Sequence, residues 1–188
     1  MKTRSLLHLL GLCAALSSNL PSAQAQGFVK FNNRVVGAVV APIYGPEPSD
    51  PTLAKTGLAV TNGGTQTYSG PLVLGTIATC QLWAGPSAQG DAGLALVSST
   101  VFGTNTLKGF IVAPTSAVAI ASVPAGTQAW VRVRAWDNLG GTVTTWAAAQ
   151  INPAVASGES PGFAVGPLGS NDTNAPRSEE HTSELQSR

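Results

Sequence analysis

The chain has 188 residues, of which 10% are charged, and its ten lysines and arginines against nine acids give a net charge of +1. Both histidines, His8 and His181, lie in terminal segments that we do not expect to belong to the folded domain. A near-neutral chain without a basic cluster has no electrostatic means of holding nucleic acid or an anionic membrane, and a domain without imidazole excludes most metal-site and nucleophilic chemistry.

Residues 1–25 predict a secretory signal peptide. Lys2 and Arg4 precede the apolar run 6–16, and Ala23-Gln24-Ala25 follows with the small residues of a cleavage site. The apolar run is too short to span a bilayer, which needs roughly 20 residues. We therefore expect export, a secreted or cell-surface location, and no transmembrane helix in the mature chain.

The mature segment 26–176 is expected to be a single domain, because its short runs of Val, Thr, Ile and aromatic residues are separated by Gly, Pro, Asn and Ser. This texture is typical of an all-β domain, and no window keeps a helical period for more than two turns; 147–150 is too short to count. The spacing predicts a β-sandwich of about seven to nine short antiparallel strands. The candidate strands are 28–32, 35–43, 72–77, 79–83, 94–102, 110–112, 118–122, 129–136, 142–146 and 163–165.

Residues 45–70 interrupt the strand pattern with three prolines and an Asn-Gly-Gly turn. We predict a long surface loop, a type of segment that can carry binding residues. Residues 177–188 differ from the rest by their density of charge, and a translated sequencing adapter gives the same residues from Arg177 to Gln186. This tail is expected to be adapter-derived and disordered.

The strand predicted at 129–136 has the clearest alternation, with small apolar residues that should face the core and a second row that should face outward. Residues 137–141 supply a turn, and 142–146 is expected to be the hairpin partner. The outward row offers indole and guanidinium surfaces on which sugar rings could stack. The alternatives are a cation–π ladder that covers the sheet, or burial of the tryptophans under the long loop. The candidate binding residues are Trp130, Arg132, Arg134 and Trp136.

Three further patterns resemble catalytic or metal-binding motifs, but each is explained more simply by a structural role. Residues 158–162 match the G-x-S-x-G nucleophile elbow, but Pro161 after Ser160 has no N–H for the oxyanion, so a turn is expected instead. Glu47 and Asp50 could act as paired carboxylates, although solvated loop charges explain them more simply. Asp137 and Asn138 could contribute to a calcium site, but six to eight oxygen ligands are needed and a turn role suffices.

Cys80 is the cysteine that remains after the expected export. No intramolecular disulfide can then form, and we expect a small buried apolar residue rather than half of an intermolecular bridge. The mature segment carries six basic and six acidic side chains, so its net charge is zero.

Three motifs carry a family resemblance. Phe31-Asn32-Asn33-Arg34, the run 80–86 (CQLWAGP) and the run 131–137 (VRVRAWD) resemble recurring motifs of secreted bacterial proteins of the PEP-CTERM-associated type. The sorting signal itself is not seen, because no Pro-Glu-Pro motif is followed by a membrane helix and a basic tail. Pro46-Glu47-Pro48 matches the letters but lies in an internal loop with no apolar helix after it. Residues 131–135 are also similar to a strand of fibronectin type III domains. The resemblance implies export, surface or matrix attachment, no known catalysis and an immunoglobulin/fibronectin-III-like β-sandwich.

These observations predict a secreted, non-enzymatic structural or adhesive protein of the cell envelope or extracellular matrix. Its expected partners are extracellular polysaccharide or envelope components, and no nucleic acid, cofactor or metal is expected. One alternative is a carbohydrate-binding module that uses the exposed Trp/Arg strand face. A second alternative is a hydrolase that works with carboxylates alone.

Overall fold

The computed structural model describes residues 25–53, 55–170 and 186–187, and in these residues the chain is all-β with antiparallel sheets. Residues 1–24 of the predicted signal peptide and most of the predicted tail lie outside the described residues. Disorder was expected at 177–188, whereas the described residues 186–187 form a short strand. The described strands are β1 (Gln26–Val29), β2 (Arg34–Val35), β3 (Val39–Val40), β4 (Ala78–Pro86), β5 (Ala95–Val101), β6 (Val118–Pro124), β7 (Ala129–Asp137), β8 (Ser157–Glu159), β9 (Phe163–Val165) and β10 (Gln186–Ser187).

The main sheet has six strands in the order β10-β8-β7-β4-β5, and β9 pairs with the same edge of β7 as β8 does, nearer its start. Its central pair, β4 and β7, is antiparallel and in register from Ala78↔Asp137 to Pro86↔Ala129. The predicted strands 79–83, 94–102, 129–136 and 163–165 are confirmed as β4, β5, β7 and β9, with shifts of a few residues at their ends. Alternation along these runs therefore identified the framework of the sheet correctly.

One face of the main sheet lies in the hydrophobic core. In β7, Ala129, Val131 and Ala135 are 0%, 2% and 8% exposed, so the small apolar row faces the core as predicted. The same period in β4 buries Cys80 and Leu82. Against this face lies the separate pair of β1 and β6, which contributes Val29, Ile120 and Val123 to the same cluster.

The predicted strand 35–43 is wrong as a single element, because the chain turns back on itself at Gly37. Gly37 has φ of +84°, which favours glycine, and the Ala38 N–H donates to the Val35 carbonyl at 2.9 Å. The result is a small hairpin in which β2 and β3 pair through Arg34↔Val40 and Val35↔Val39.

Two other predicted strands are only partly formed. In the run 72–77, Leu72 makes an isolated bridge with Tyr44, and Gly75–Ile77 is a short 3-10 helix. In the run 110–112, Ile111 makes an isolated bridge with Phe102. Ile111 belongs to the core cluster, whereas Leu74 and Ile77 are exposed, and neither run extends the main sheet.

The prediction of a strand at 142–146 is wrong. After β7 the chain makes a 3-10 turn at Leu139–Gly141, where all three residues have positive φ, and then enters the helix α1 (Trp146–Ile151). The Thr145 hydroxyl caps α1 by accepting from the Ala148 N–H at 3.2 Å. This region was expected to be too short to count as a helix. Each helix in the described part of the chain falls short of the length and apolarity that a membrane span requires.

Candidate functional site

The face of the main sheet opposite the core carries the four residues singled out from the sequence, and we call it the outer face. Register places Trp130, Arg132, Arg134 and Trp136 of β7 across from Gly85, Trp83, Gln81 and Thr79 of β4. The four β7 side chains therefore share one face, as the alternation predicted. Their surroundings differ sharply from one end of the strand to the other.

The arginines of the outer face are held by two carboxylates. Arg132 pairs with Asp91 at 2.5 Å and with Glu159 at 2.6 Å, and Arg134 Nε donates to the other oxygen of Glu159 at 3.1 Å. Asp91 also accepts from Trp130 Nε1 at 2.8 Å. Both arginine side chains are 18% exposed, so these charge-assisted bonds form in a partly water-excluded position. Arg132 Nε is buried without a hydrogen-bond partner among the described residues.

Arg134 also packs against aromatic rings. Its Cζ atom lies 4.4 Å from the ring centroid of Trp83 and 5.4 Å from that of Trp146. Both distances are within the range of a cation–π interaction. The middle of the outer face is therefore the cation–π ladder that the sequence offered as an alternative to a sugar-stacking surface.

The prediction that Trp136 lies on an exposed face is wrong. Trp136 is 2% exposed, and its Nε1 donates to the Val143 carbonyl at 2.9 Å. The segment after β7 crosses the outer face instead of forming a hairpin, and it packs Trp146 against Trp136 at a ring distance of 6.1 Å. Together with Val143, Ala149 and Val155 these residues form a second hydrophobic core. None of the described residues of the long loop predicted at 45–70 belongs to this second core.

The carboxylates of Asp91 and Glu159 approach each other on the outer face, but the group that lies between them is the guanidinium of Arg132. A glycosidase needs its two carboxyl groups on either side of a scissile bond. Here the guanidinium of Arg132 lies between Asp91 and Glu159 and binds both. The position between the two acids is therefore occupied by Arg132, and both acids are charge-compensated.

Glu47 is not a solvated loop charge, as the sequence suggested. It is 3% exposed, accepts the Ser69 N–H at 3.0 and 3.1 Å, and pairs with Lys55 at 3.1 Å. Burial alone would raise the pKa of Glu47, but the Ser69 N–H and the Lys55 ammonium outweigh it and hold the pKa below its ordinary value. Asp50 is exposed and bonded to Thr52, which lowers the pKa of Asp50. The two acids thus have separate, local partners.

The predicted long loop is anchored by this ion pair. The ring of Tyr68 stacks on Tyr44 with centroids 4.5 Å apart, and its hydroxyl donates to the Gly57 carbonyl at 2.7 Å. Lys55 lies over the ring of Tyr68 at 5.9 Å. The carboxylate, ammonium and stacked rings fix the two ends of the loop to each other.

Ser160 of the G-x-S-x-G match is part of the sheet. Its Oγ accepts the Val133 N–H at 2.9 Å, its own N–H donates to the Val133 carbonyl at 2.8 Å, and it is 3% exposed. Ser160 thereby joins the short strands β8 and β9 along one edge of β7. The turn expected over 158–162 is therefore limited to the residues around Pro161.

Asn138 has a structural role. Its side-chain amide donates to the Thr76 carbonyl at 2.8 Å and the Thr79 hydroxyl at 3.2 Å, and its oxygen accepts the Gly141 N–H at 3.0 Å. The Asp137 carboxylate accepts the Leu139 N–H at 2.8 Å. Throughout the described ranges, no group of three or more His, Cys, Asp or Glu side chains could hold a metal ion.

Cys80 is confirmed as a small buried residue of the core. It is a free cysteine with 0% exposure, and burial raises the pKa of its thiol strongly. A bridge to another chain would require the core to open.

Two adjoining clefts were not foreseen from the sequence. An apolar cleft of about 220 Å³ has walls from residues 43–46 and 71–74 and a floor that includes Ala135 and Trp136. A more polar cleft of about 520 Å³ runs along residues 149–159, and the two share Pro46 and residues 156–158. Each cleft is lined by segments that are far apart in the chain, so no local sequence pattern predicts either of them.

Neither a protein-family model, nor a curated protein, nor a solved structure matches this chain.

Proposed function

We propose that the chain is an exported, non-catalytic β-sandwich of the immunoglobulin/fibronectin-III-like kind that serves as a structural or adhesive component of the cell envelope or extracellular matrix. The observation that carries the proposal is that the two arginines of the outer face already have partners within the chain. Arg132 and Arg134 form ion pairs with Asp91 and Glu159, and Arg134 also packs against the neighbouring indoles. Side chains that could bind or catalyse are instead used to hold strands together.

The sandwich is supported by the way in which the core is shared. The β1–β6 pair and the β4–β7 pair are in different sheets, yet their apolar rows meet in one cluster. Two antiparallel sheets that bury facing rows of residues are the defining arrangement of this architecture.

Export is supported by the basic, apolar and small-residue order of positions 1–25. The test is to express the full chain in a bacterial host and to fractionate cytoplasm, envelope, matrix and medium. We expect envelope, matrix or medium to hold the protein, with Gln26 as its first residue. The matched control is Leu9→Arg with Leu10→Arg, which should keep the protein in the cytoplasm. An unprocessed wild-type chain in the cytoplasm would refute export.

The non-catalytic role is tested separately. The purified protein is incubated with envelope and matrix polysaccharides, and both adsorption and release of reducing sugar are measured. We expect adsorption without release, and we expect Asp91→Asn and Glu159→Gln to leave this outcome unchanged. Sugar release that either substitution abolishes would overturn the proposal in favour of a carboxylate-only hydrolase.

A carbohydrate-binding module remains a second candidate, carried by the end of the outer face that α1 does not cover. There Trp130 is partly exposed and Asp91 is 55% exposed in its side chain. An indole face beside a carboxylate offers a surface on which a sugar ring can stack and form a hydrogen bond. A glycan array should then show binding that Trp130→Ala removes and that Ile151→Ser, a change of an exposed residue on α1, does not. An array without binding would eliminate this candidate.

A further inference from the structure

The hairpin of β2 and β3 ends in an apolar tip, which we define as residues 35–40 (Val-Val-Gly-Ala-Val-Val). Val36 is 83% exposed and Val40 is 39% exposed, and Gly37 and Ala38 are exposed as well. A side chain built at Gly37 would meet no atom within 4 Å. The tip is shaped by its own backbone bonds; Val36 and Val40 are exposed, whereas Val35 and Val39, which pair across the hairpin, are partly buried.

Cations without an ion pair lie beside this tip. Of the described basic residues, Lys55, Arg132 and Arg134 are in ion pairs, whereas Lys30, Arg34 and Lys108 have no acidic partner among the described residues. We call these three unpaired residues the collar.

The fold brings the collar to the hairpin. Arg34 begins β2, and its Cζ lies 5.4 Å from the ring centroid of Phe110. The Asn33 side chain donates to the Gly109 carbonyl at 2.9 Å, which places Lys108 next to the base of the hairpin. Lys30 is exposed on the segment that leads from β1 into it.

Acids are missing from the surroundings of the collar. Residues 26–46 and 102–117, which build the hairpin and its base, contain neither Asp nor Glu. The even charge count of the mature segment hides this asymmetry, because the acids are concentrated in ion pairs at the outer face and in the 45–70 loop. The earlier expectation that the chain has no basic cluster is therefore revised: net charge does not report where charges lie.

We propose that the tip docks on an anionic phospholipid surface, with its valines in the headgroup region and the collar on the lipid phosphates. Apolar side chains flanked by cations are the combination that binds such interfaces. A second copy of the chain fits less well, because two tips in contact would bring two collars of like charge together. A stable protein interface also buries about 1,200–2,000 Å², which a six-residue tip cannot supply.

The inference goes beyond the proposed structural role, since docking on lipid requires neither export nor adhesion. The test measures binding of the purified chain to vesicles of phosphatidylglycerol and phosphatidylcholine in equal parts, and to vesicles of phosphatidylcholine alone. We expect binding to the anionic vesicles that weakens as salt is raised. Substituting Val36→Ser with Val40→Ser should lower the affinity roughly tenfold or more.

The collar is tested by Lys30→Gln, Arg34→Gln and Lys108→Gln, each of which should lower affinity about five-fold. The matched control is Val60→Ser, which alters a valine that is 59% exposed and belongs neither to the tip nor to the collar, and binding should be unchanged. All variants share the residues outside the described ranges, so differences among them report on the tip and collar. Equal binding of wild type and the double serine variant would overturn the proposal, as would absence of binding to anionic vesicles. Sedimentation that shows a dimer abolished by the serine substitutions would overturn it in favour of self-association.

Discussion

Replacing Trp136 with alanine should destabilise the fold strongly, although the strand pattern alone placed this residue on an open face. The indole is 2% exposed and packs on Trp146, and its N–H is bonded to the Val143 carbonyl. Emptying a buried Trp site costs about 3–5 kcal/mol, and the lost hydrogen bond about 1 kcal/mol more. Because these contributions overlap, we expect the free energy of unfolding to fall by about 4–5 kcal/mol.

Urea denaturation followed by circular dichroism measures this loss, with Trp130→Ala as the matched control. Trp130 lies on the same face of the same strand but is only partly buried, so its removal should cost about 1–2 kcal/mol. The two tryptophans differ chiefly in what covers them. A cost for Trp136→Ala at or below that of Trp130→Ala would refute the second core and restore the exposed-face interpretation.

Three other outcomes follow from the same contacts. The lowered pKa of Glu47 means that its ion pair with Lys55 stabilises the fold at pH values above the ordinary pKa of a glutamate, and that this stabilisation is lost as pH falls through the folded-state pKa. Between roughly pH 6 and pH 3, the melting temperature of Glu47→Gln should therefore fall less than that of wild type. Parallel curves of melting temperature against pH would contradict this. In the chain that begins at Gln26, which lacks Cys13, buried Cys80 should react with a thiol reagent only on unfolding, as absorbance will record, and rapid reaction of this native protein would show that the core opens. A Cβ at Gly162 would meet Trp130 Nε1 at 2.5 Å and Asp91 Oδ1 at 2.7 Å, so Gly162→Ala should cost about 1–3 kcal/mol in urea unfolding, and a neutral result would mean that this end of the outer face is loosely packed.

The framework of the sheet could be predicted because its signal is local. Alternation along 129–136 identifies β7 and the side that faces the core, since successive side chains of a strand point to opposite faces. The runs that became β4, β5 and β6 are likewise bounded by glycine and proline. These properties depend on neighbours only a few residues away.

The wrong prediction of a strand at 142–146 shows the limit of what local sequence patterns can predict. The run Thr-Val-Thr-Thr-Trp has the composition of a strand, but Trp146 gains more by packing on Trp136 than by pairing its backbone with β7. Propensity differences of this kind are worth about 1 kcal/mol or less, while burial of an aromatic side chain is worth several times as much. Tertiary packing therefore decided the element.

The candidate site shows the same difference between local sequence signals and contacts made by distant residues. Sequence alone determined that Trp130, Arg132, Arg134 and Trp136 share one face of a strand, because the period of two is a property of the backbone. Whether those side chains are open or occupied was decided by Asp91 and Glu159, which lie 41 and 27 residues from Arg132. Only the folded chain could bring such distant charges into contact, and the same folding left the cations near the hairpin without acidic partners. The sequence thus determined which groups are present and on which face, and the tertiary structure decided which of them are already bound, since that depends on contacts between residues far apart in the chain.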